Sequence, residues 1–246
     1  MRYLIVSDIH SNWQALEAVL EHAAGAYDRI LCCGDLVGYG ADPNRVVEWA
    51  RENVHGIVRG NHDKGCAGLD DLEWFNTAAR ISACWTRDEL AGANLEYLER
   101  LPRGPLSVED FRLVHGSPLD EDEYVVGETD IAGVSGYLEA PLYFFGHTHL
   151  QRGFRLAHPS VWQMDTVRNG AERRSLELEH RYAYLINPGS VGQPRDRDPR
   201  AAYAIYDSES RVVTLCRTSY DVKAAQARIV KAGLPQLLAD RLSAGF

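Results

Sequence analysis

Apolar runs and amphipathic stretches alternate regularly through the first sixty residues of the chain. Residues 2–7 (RYLIVS) contain an unbroken apolar run that predicts a strand buried on both faces, and residues 29–33 (RILCC) and 55–59 (HGIVR) predict two more strands. Between these runs, residues 13–23 and 46–54 carry apolar side chains at the spacing of one helical face. The order strand, helix, strand, helix, strand predicts a parallel sheet with right-handed crossover connections.

The second half of the chain repeats short apolar runs that end in polar residues. Residues 111–114 (FRLV), 141–145 (PLYFF) and 182–187 (YAYLIN) predict three further strands. Residues 201–207 and 212–220 predict two strands of a hairpin or meander near the end of the chain.

Two segments depart from this alternation. Residues 71–101 predict two helices, and we expect their large apolar side chains to lie in the core: Trp74, Phe75, Trp85 and Leu98. Residues 157–180 are irregular and charged, and we expect a surface excursion or a short hairpin there. Because 246 residues fit one large domain, we expect a single domain over residues 1–246.

Composition and charge narrow the class of protein. The chain is 45% hydrophobic and 25% charged, as ordinary globular proteins are, and its formal net charge is −9. This acidic balance argues against a broad basic surface for extended nucleic acid. Small phosphate esters remain suitable substrates, because a bound cation can reverse the local charge.

The cysteines and the start of the chain indicate in which cellular compartment the protein is expected. The five cysteines include no CxxC pair, so we expect no disulfide framework. The chain enters its first strand directly after Met1, and no apolar run approaches the ~18 residues of a membrane helix. We therefore expect a soluble, cytoplasmic protein without a signal peptide or a membrane partner; a homo-oligomer is left open.

Polar side chains follow most of the predicted strands at the point where each strand ends. In open α/β sheets, ligands bind in the crevice beyond the carboxyl ends of the strands, so these side chains should converge along one edge. The candidates, in chain order, are Asp8, His10, Asp35, Asn61, His62, His115, His147 and His149.

These side chains offer oxygen and imidazole nitrogen donors, and no thiolate is clearly among them. Mixed carboxylate and imidazole donors suit Mn, Fe, Zn or Ni rather than a structural thiolate zinc site. The set is too large for one ion, but it suits two divalent ions bridged by a carboxylate. That arrangement serves in-line attack on phosphorus.

The strand-end motifs resemble those of a known family, the calcineurin-like metallophosphoesterases. The motifs are, in order, DIH (8–10), GDLVG (34–38), GNHD (60–63), VHGSP (114–118) and GHTH (146–149). The resemblance runs from residue 2 to about residue 193, and the segment NPGSVGQPR (187–195) is similar to the small bacterial and archaeal phosphodiesterase branch. The resemblance to the family implies a four-layer fold of mixed α/β (α+β) type, in which two facing β-sheets are flanked by helices.

The resemblance also implies which residues bind each metal ion. The first ion would take Asp8, His10, Asp35 and His149, and the second would take Asp35, Asn61, His115 and His147. Asp35 would bridge two divalent transition-metal ions, with manganese favoured over iron, zinc or nickel. A hydroxide between the metals would be the nucleophile.

Residues beside the metal ligands are candidates for substrate binding or catalysis. In the family, the counterpart of His62 contacts the substrate phosphate or protonates the leaving oxygen; the alternative is a packed neighbour of the ligands. Asp63 is a candidate to orient His62. Arg59 lies where the protein phosphatases of the superfamily carry a phosphate-gripping arginine, and the alternative is a surface salt bridge.

The NPGSVGQPR segment adds candidates for the substrate pocket. By the same resemblance, Asn187 and Gly189 are candidates to shape or line it, and Arg195 is a candidate to reach the substrate. The alternative for Arg195 is a surface charge on a loop.

The implied function is a metal-dependent phosphoric ester hydrolase. The serine/threonine phosphatases carry a second aspartate and an arginine shortly after the bridging aspartate, where this chain has Gly38 and Tyr39. We therefore favour a phosphodiesterase that acts on small or cyclic nucleotides or on aryl diesters. The alternatives are a phosphomonoesterase, a dinucleoside polyphosphate hydrolase or a protein phosphatase. A metal-free scaffold, like the retromer subunit that resembles this family, would have lost ligands that this chain keeps.

Overall fold

The computed structural model of the chain describes residues 1–167 and 170–246. The described residues contain two six-stranded sheets and eight α-helices. No helix among them is both long enough and apolar enough to cross a bilayer.

The first sheet contains the three strands predicted at the start of the chain. Its members are β1 (Arg2–Val6), β2 (Arg29–Cys32), β3 (Val54–Ile57), β9 (Arg173–Glu177), β11 (Ala201–Asp207) and β12 (Val212–Thr218). Their spatial order is β3-β2-β1-β11-β12-β9. Strands β1, β2 and β3 are parallel and β11 pairs antiparallel with β12, so both the parallel sheet and the terminal hairpin are confirmed.

The second sheet contains the three strands predicted in the second half. Its members are β4 (Leu106–Val108), β5 (Phe111–Leu113), β6 (Leu142–Phe144), β7 (Arg152–Ala157), β8 (Ser160–Met164) and β10 (Ala183–Asn187). Their spatial order is β4-β5-β6-β10-β7-β8, and β5, β6 and β10 are parallel.

Alternating side chains of β1 face two different layers, because successive side chains of a strand point to opposite faces. Tyr3 and Ile5 pack between the two sheets with residues such as Phe144, whereas Leu4 and Val6 pack against helices. A strand buried on both faces therefore needs a continuous apolar run, which is the pattern seen in its sequence.

The helices cover the outer faces of both sheets. They are α1 (Trp13–His22), α2 (Pro43–Asn53), α3 (Asn61–Cys66), α4 (Thr77–Glu89), α5 (Gly92–Glu99), α6 (Glu128–Val134), α7 (Val222–Lys231) and α8 (Gln236–Ala244). Helices α1 to α5 share a core with the first sheet, and α7 and α8 pack beside them. Helix α6 packs on the outer face of the second sheet. The four-layer arrangement is confirmed.

The two segments outside the regular alternation differ in how well they were predicted. Residues 71–101 hold α4 and α5 as expected, and Leu98 is buried, but Trp74 is 94% exposed and its core assignment is wrong. In residues 157–180, β8 forms a hairpin with β7, and β9 joins the first sheet as an edge strand. Arg168 and Asn169 of that segment lie outside the described residues.

Candidate metal centre

Hydrogen bonds join the loops that follow the parallel strands. The main-chain nitrogen of Asp8 donates to the carbonyl of Gly34 at 3.0 Å, and that of Gly146 donates to the carbonyl of His115 at 2.8 Å. The nitrogen of His147 donates to Oδ1 of Asp8 at 3.1 Å, which links the two sheets. The carboxyl ends of both sets of parallel strands therefore meet along one edge.

Two glycines at this edge allow approaches that a side chain would block. A Cβ atom on Gly60 would lie 2.0 Å from Oδ1 of Asp35. A Cβ atom on Gly146 would lie 2.0 Å from Oγ of Ser7 and 2.9 Å from Oδ2 of Asp8. The glycines of GNHD and GHTH thus let their loops lie against the two carboxylates.

Backbone strain is concentrated at the same edge. A non-glycine residue in the left-handed region costs about 1–3 kcal/mol and persists only where its surroundings enforce it. Five candidate ligands have φ between 50° and 64°: Asp8, His10, Asp35, His147 and His149. Such strain is characteristic of functional sites.

Four buried side chains form a first group of donors. The ligand atoms of Asp8, His10, Asp35 and His149 all lie within 4.8 Å of one another. Nε2 of His10 is 3.0 Å from Nε2 of His149 and 3.5 Å from Oδ2 of Asp35. Nε2 of His149 is 3.5 Å from Oδ1 of Asp8. This grouping matches the residues assigned to the first ion from the sequence.

A second group shares Asp35 with the first. The ligand atoms of Asp35, His115 and His147 also lie within 4.8 Å of one another. Nε2 of His115 is 3.5 Å from Oδ2 of Asp35 and 3.3 Å from Oδ1 of Asn61. Because Oδ2 of Asp35 lies 3.5 Å from His10 in one group and 3.5 Å from His115 in the other, it lies where a bridging atom is needed.

Main-chain carbonyls orient all four imidazole rings. The contacts are His10 Nδ1 with Val37 O at 2.9 Å, His115 Nδ1 with Cys33 O at 2.7 Å, His149 Nδ1 with Gln193 O at 2.6 Å, and His147 Nε2 with Asp122 O at 3.1 Å. A carbonyl oxygen only accepts, so each contacting nitrogen carries the proton in the neutral ring. The other nitrogen keeps its lone pair, which is how metal-binding histidines are oriented in proteins.

The donor set fits divalent cations, as three unsatisfied features show. Oδ2 of Asp8 and Oδ2 of Asp35 are buried and have no hydrogen-bond partner among the described residues. The lone pairs of His10 Nε2 and His149 Nε2 face each other at 3.0 Å, which is repulsive without an intervening cation. Carboxylate and imidazole donors of this kind suit divalent transition metals.

Burial and charge set the protonation of the metal-free site. Burial lowers the pKa of His10 to about 4 and that of His147 to about 3, and it raises the pKa of Asp8 to about 7. Burial also acts to lower the pKa of His115, but the charges of Asp35 and Asp8 outweigh it and raise that pKa to about 10. A metal ion would therefore have to displace a proton from His115.

His62 lies beside the donor groups but belongs to neither of them. Its ring packs 4.3 Å from the ring of Tyr39, 4.6 Å from Phe75 and 4.8 Å from His10, measured between centroids. Nδ1 is buried without a partner among the described residues and faces Gly38, where a Cβ atom would lie 2.4 Å away. Nε2 is therefore the ring nitrogen that can meet a ligand.

Asp63 holds the backbone rather than orienting His62. Its carboxylate accepts hydrogen bonds from four main-chain nitrogens: Gly60 at 3.0 Å, Asp35 at 2.9 Å, Leu36 at 2.8 Å and Val37 at 3.2 Å. His62 is not among its hydrogen-bond partners, so the expected orienting role is corrected. The carboxylate instead fixes the loop that carries Asp35.

Arg59 is already occupied by an ion pair. Its Nε and Nη2 donate to the two carboxylate oxygens of Glu121 at 2.9 and 2.7 Å. Glu121 is 8% exposed, so this bidentate pair is partly buried rather than on the surface. A phosphate would have to compete with Glu121 for this planar donor edge, and the phosphate-gripping role of Arg59 stays a prediction.

The two candidates of the NPGSVGQPR segment differ in their surroundings. Asn187 is fully buried and donates to the carbonyl of Gly146 at 2.8 Å and to Oγ1 of Thr148 at 3.0 Å. Its Oδ1 accepts from the nitrogen of Gly189 at 2.8 Å, so Asn187 holds the GHTH turn in place. A contact between Asn187 and the substrate stays a prediction.

Arg195 lies beside the donor groups, not on an outer surface. Nη2 donates to Oη of Tyr39 at 3.3 Å and to Oε1 of Gln193 at 3.2 Å, while Nε is buried without a partner among the described residues. Burial lowers the pKa of His149 well below its usual range, and the charge of Arg195 lowers it further. The charge of Arg195 thus acts directly on the donor groups.

Three aromatic residues of the site did not emerge from the sequence as functional candidates. Tyr39 contacts His62, and Tyr124 packs its ring 3.9 Å from the ring of His147. Phe75 packs on His62 instead of serving only the core. Tyr39 lies inside GDLVGYG and was noticed only as a departure from the phosphatases, whereas Tyr124 lies in an irregular loop without a local signal.

Two facing mixed sheets with a carboxylate–imidazole cluster at the ends of their parallel strands define a metallophosphoesterase. The sequence signature described as "Calcineurin-like phosphoesterase superfamily domain" matches residues 1–211. The chain therefore belongs to the calcineurin-like phosphoesterase superfamily.

Individual relatives agree with this assignment. An uncharacterized protein of Methanocaldococcus jannaschii is 36% identical, over 98% of this chain and 97% of its own length. The crystal structure of a metallophosphoesterase from Sphaerobacter thermophilus is 40% identical, with a TM-score of 0.88 over 100% of this chain and 99% of that one. A hypothetical protein from Pyrococcus horikoshii OT3 shares the fold at 20% identity, with a TM-score of 0.80 over 100% and 98%.

Proposed function

We propose that the protein is a phosphodiesterase that uses two divalent metal ions, with manganese favoured, to hydrolyse small nucleotide-type, cyclic or aryl phosphodiesters. The observation that carries this proposal is the pair of donor groups that share Oδ2 of Asp35, each with carbonyl-oriented imidazoles. Bound metals would supply Lewis acidity and an activated water at this position.

The proposed ligands follow the two groups. Asp8, His10, Asp35 and His149 would hold one ion, and Asp35, Asn61, His115 and His147 would hold the other. The Gly60 and Gly146 loops bring the carboxylates together, and the carbonyl contacts keep the imidazole lone pairs directed inward.

His62 and Arg195 are the residues proposed to meet the substrate phosphate. Burial lowers the pKa of His62 well below its usual range, so the ring is neutral in the free protein. A neutral ring with its proton on Nε2 would donate a hydrogen bond to a phosphate oxygen. Arg195 would add a charge-assisted contact through its guanidinium group, whose Nε has no partner among the described residues.

The space around His62 favours diesters over phosphoprotein substrates. The position where the serine/threonine phosphatases carry a second aspartate and an arginine is occupied here by Gly38 and Tyr39. Gly38 has φ of +85°, and any Cβ there would collide with His62. Tyr39 and Phe75 instead form an aromatic wall on the ring of His62, beside the donor groups, and such a wall suits an aryl or nucleoside group.

A substrate panel tests this proposal. Manganese-loaded protein should hydrolyse bis(4-nitrophenyl) phosphate with higher kcat/KM than 4-nitrophenyl phosphate or a phosphoserine peptide. Higher kcat/KM for the monoester or the peptide would reverse the order of the candidate activities. If no ester of the panel is hydrolysed with any divalent metal, the proposal that the protein is a phosphoesterase is contradicted.

A further inference from the structure

Lys64 of α3 joins two loops that lie beside the metal centre. The α3–α4 loop consists of residues 67–76, and the β5–α6 loop consists of residues 114–127. Nζ of Lys64 is 2.5 Å from Oδ2 of Asp122 in the β5–α6 loop and 3.2 Å from Oδ2 of Asp70 in the α3–α4 loop. One ammonium group therefore bridges the two loops.

The ammonium group is enclosed, and its charge is balanced. The side chain of Lys64 is 11% exposed. Burial acts to lower its pKa, but hydrogen bonds with Asp122 and Asp70 outweigh it and raise that pKa, so the group is charged at neutral pH. The surrounding ion pairs contain three cations and three carboxylates: Lys64, Arg59, Arg103, Asp70, Glu121 and Asp122. The cluster is therefore a set of ion pairs that connects segments of the chain.

The α3–α4 loop carries the aromatic ring that packs on His62. The ring of Phe75 lies 4.6 Å from the ring of His62, measured between centroids. A Cβ atom on Gly65 would lie 3.2 Å from Cζ of Phe75, so this glycine lets the loop lie directly on α3. The ion pair between Lys64 and Asp70 spans the same two segments and holds the loop in this position.

The β5–α6 loop carries two groups that contact His147. The carbonyl oxygen of Asp122 accepts a hydrogen bond from Nε2 of His147 at 3.1 Å, and the ring of Tyr124 lies 3.9 Å from the imidazole ring. Because Nε2 carries the proton, Nδ1 keeps the lone pair for a metal ion. Asp122 thus holds His147 through its main chain and Lys64 through its carboxylate.

We propose that Lys64 is a positioning residue of the metal centre, which ties the β5–α6 loop to α3 so that the carbonyl of Asp122 keeps Nδ1 of His147 directed at the second donor group. Its pair with Asp70 holds the aromatic wall on His62 in the same way. The consequence for catalysis rests on the proposed function, whereas the orientation of His147 can be measured without metal or substrate.

Loss of charge and loss of position have opposite effects on metal binding. Removing a positive charge near the donor groups should raise the affinity for a cation, because repulsion falls. Releasing the carbonyl that orients a metal-binding histidine should lower that affinity, by roughly 10- to 100-fold for a direct hydrogen-bond partner. Because Lys64 acts through Asp122, we expect the lower end of this range, about 10-fold weaker binding of the second ion.

Lys64→Met tests the positioning role, because it keeps an unbranched side chain and removes the ammonium group. In metal-free protein at pH 7, nitrogen-15 NMR should show the wild-type ring of His147 as the Nε2–H tautomer, and the variant ring as a mixture of both tautomers. Titration with Mn²⁺, followed by electron paramagnetic resonance, should show an unchanged first ion and a weaker second ion. Lys64→Arg keeps the charge and should restore part of both properties.

Arg103→Met is the matched control, because it removes a positive charge from the same cluster. Nε of Arg103 lies 3.9 Å from Oε2 of Glu121, and its side chain is 58% exposed. The control should leave the tautomer of His147 and the affinity for the second ion at their wild-type values.

Replacing the two carboxylates one at a time separates the loops. Asp122→Asn should reproduce the effects of Lys64→Met on His147 and on the second ion. Asp70→Asn should leave both unchanged and raise KM for bis(4-nitrophenyl) phosphate, because it loosens the aromatic wall on His62. If Lys64→Met does not fold, Asp122→Asn provides the same comparison.

An unchanged tautomer of His147 in Lys64→Met, or tighter binding of the second ion, would overturn the positioning role while leaving the phosphodiesterase proposal intact. A wild-type protein that binds fewer than two ions and hydrolyses no ester would contradict the proposed function. The tautomer comparison would still decide the role of Lys64 in that case.

Discussion

Replacing His62 by asparagine separates the roles that a histidine beside the metals can play. The ring is 4% exposed, its Nδ1 faces Gly38, and burial lowers its pKa well below the usual range. The structure therefore leaves Nε2 of an uncharged ring as the atom that can meet the substrate. We expect His62→Asn to remove one hydrogen bond to a charged phosphate oxygen and no proton transfer.

The size of the effect follows from that single contact. A hydrogen bond to a charged group is worth roughly 1.5–3 kcal/mol, which corresponds to about 10- to 100-fold in kcat/KM. A general acid would instead contribute roughly 10²–10⁴-fold, and only where the leaving oxygen needs a proton. A nitrophenolate leaves readily as an anion, whereas an alkoxide or a ribose oxygen does not.

The assay compares a nitrophenyl diester with an alkyl or nucleoside diester and measures bound metal in parallel. We expect both substrates to be slowed by a similar factor and both metals to be retained. His180→Asn is the control, since it makes the same chemical change at an exposed position and should have no effect. Much greater slowing of the alkyl diester would refute the neutral-donor reasoning in favour of acid catalysis, and loss of metal would indicate a structural role.

Three further outcomes follow from the geometry of the donor groups. Asp35→Asn should reduce the binding of both metals and lower turnover more than any other single ligand change, as metal analysis and diester assays would show; near-normal turnover with both metals would disprove the bridge. Gly60→Ala places a Cβ atom 2.0 Å from Oδ1 of Asp35, so it should destabilise the protein by roughly 1–3 kcal/mol in thermal denaturation and weaken metal binding. Gly136→Ala is the control, because its Cβ atom would meet nothing within 4 Å, and it should change neither stability nor metal binding. Metal affinity should rise with pH, because the raised pKa of His115, about 10, keeps its ring protonated in the metal-free protein at neutral pH, and metal binding must release that proton. Calorimetry in buffers of different ionisation enthalpy should detect the release, and below about pH 7 Asp8 should release a second proton; binding without proton release would contradict the assigned protonation.

The arrangement of strands and donors could be predicted because it is encoded locally. The apolar run before Asp8 specifies a buried strand, and the polar residues after it must then lie at the carboxyl end. Repeating this reasoning for strands β2, β3, β5 and β6 is enough to bring the ligands to one edge. No side-chain contact needs to be known for that step.

The surroundings that were not predicted depend on contacts distant in sequence. Arg59 is occupied by Glu121, which lies in a loop whose path no periodicity reveals. Phe75 has the apolar character of a core residue but packs on His62, and Trp74 beside it faces solvent.

The most direct test of the central claim is metal content measured together with hydrolysis of an aryl phosphodiester. The two donor groups predict about two divalent ions per chain, loss of activity on exhaustive chelation, and recovery with Mn²⁺. Full activity in protein from which all metal has been removed would contradict the two-metal account.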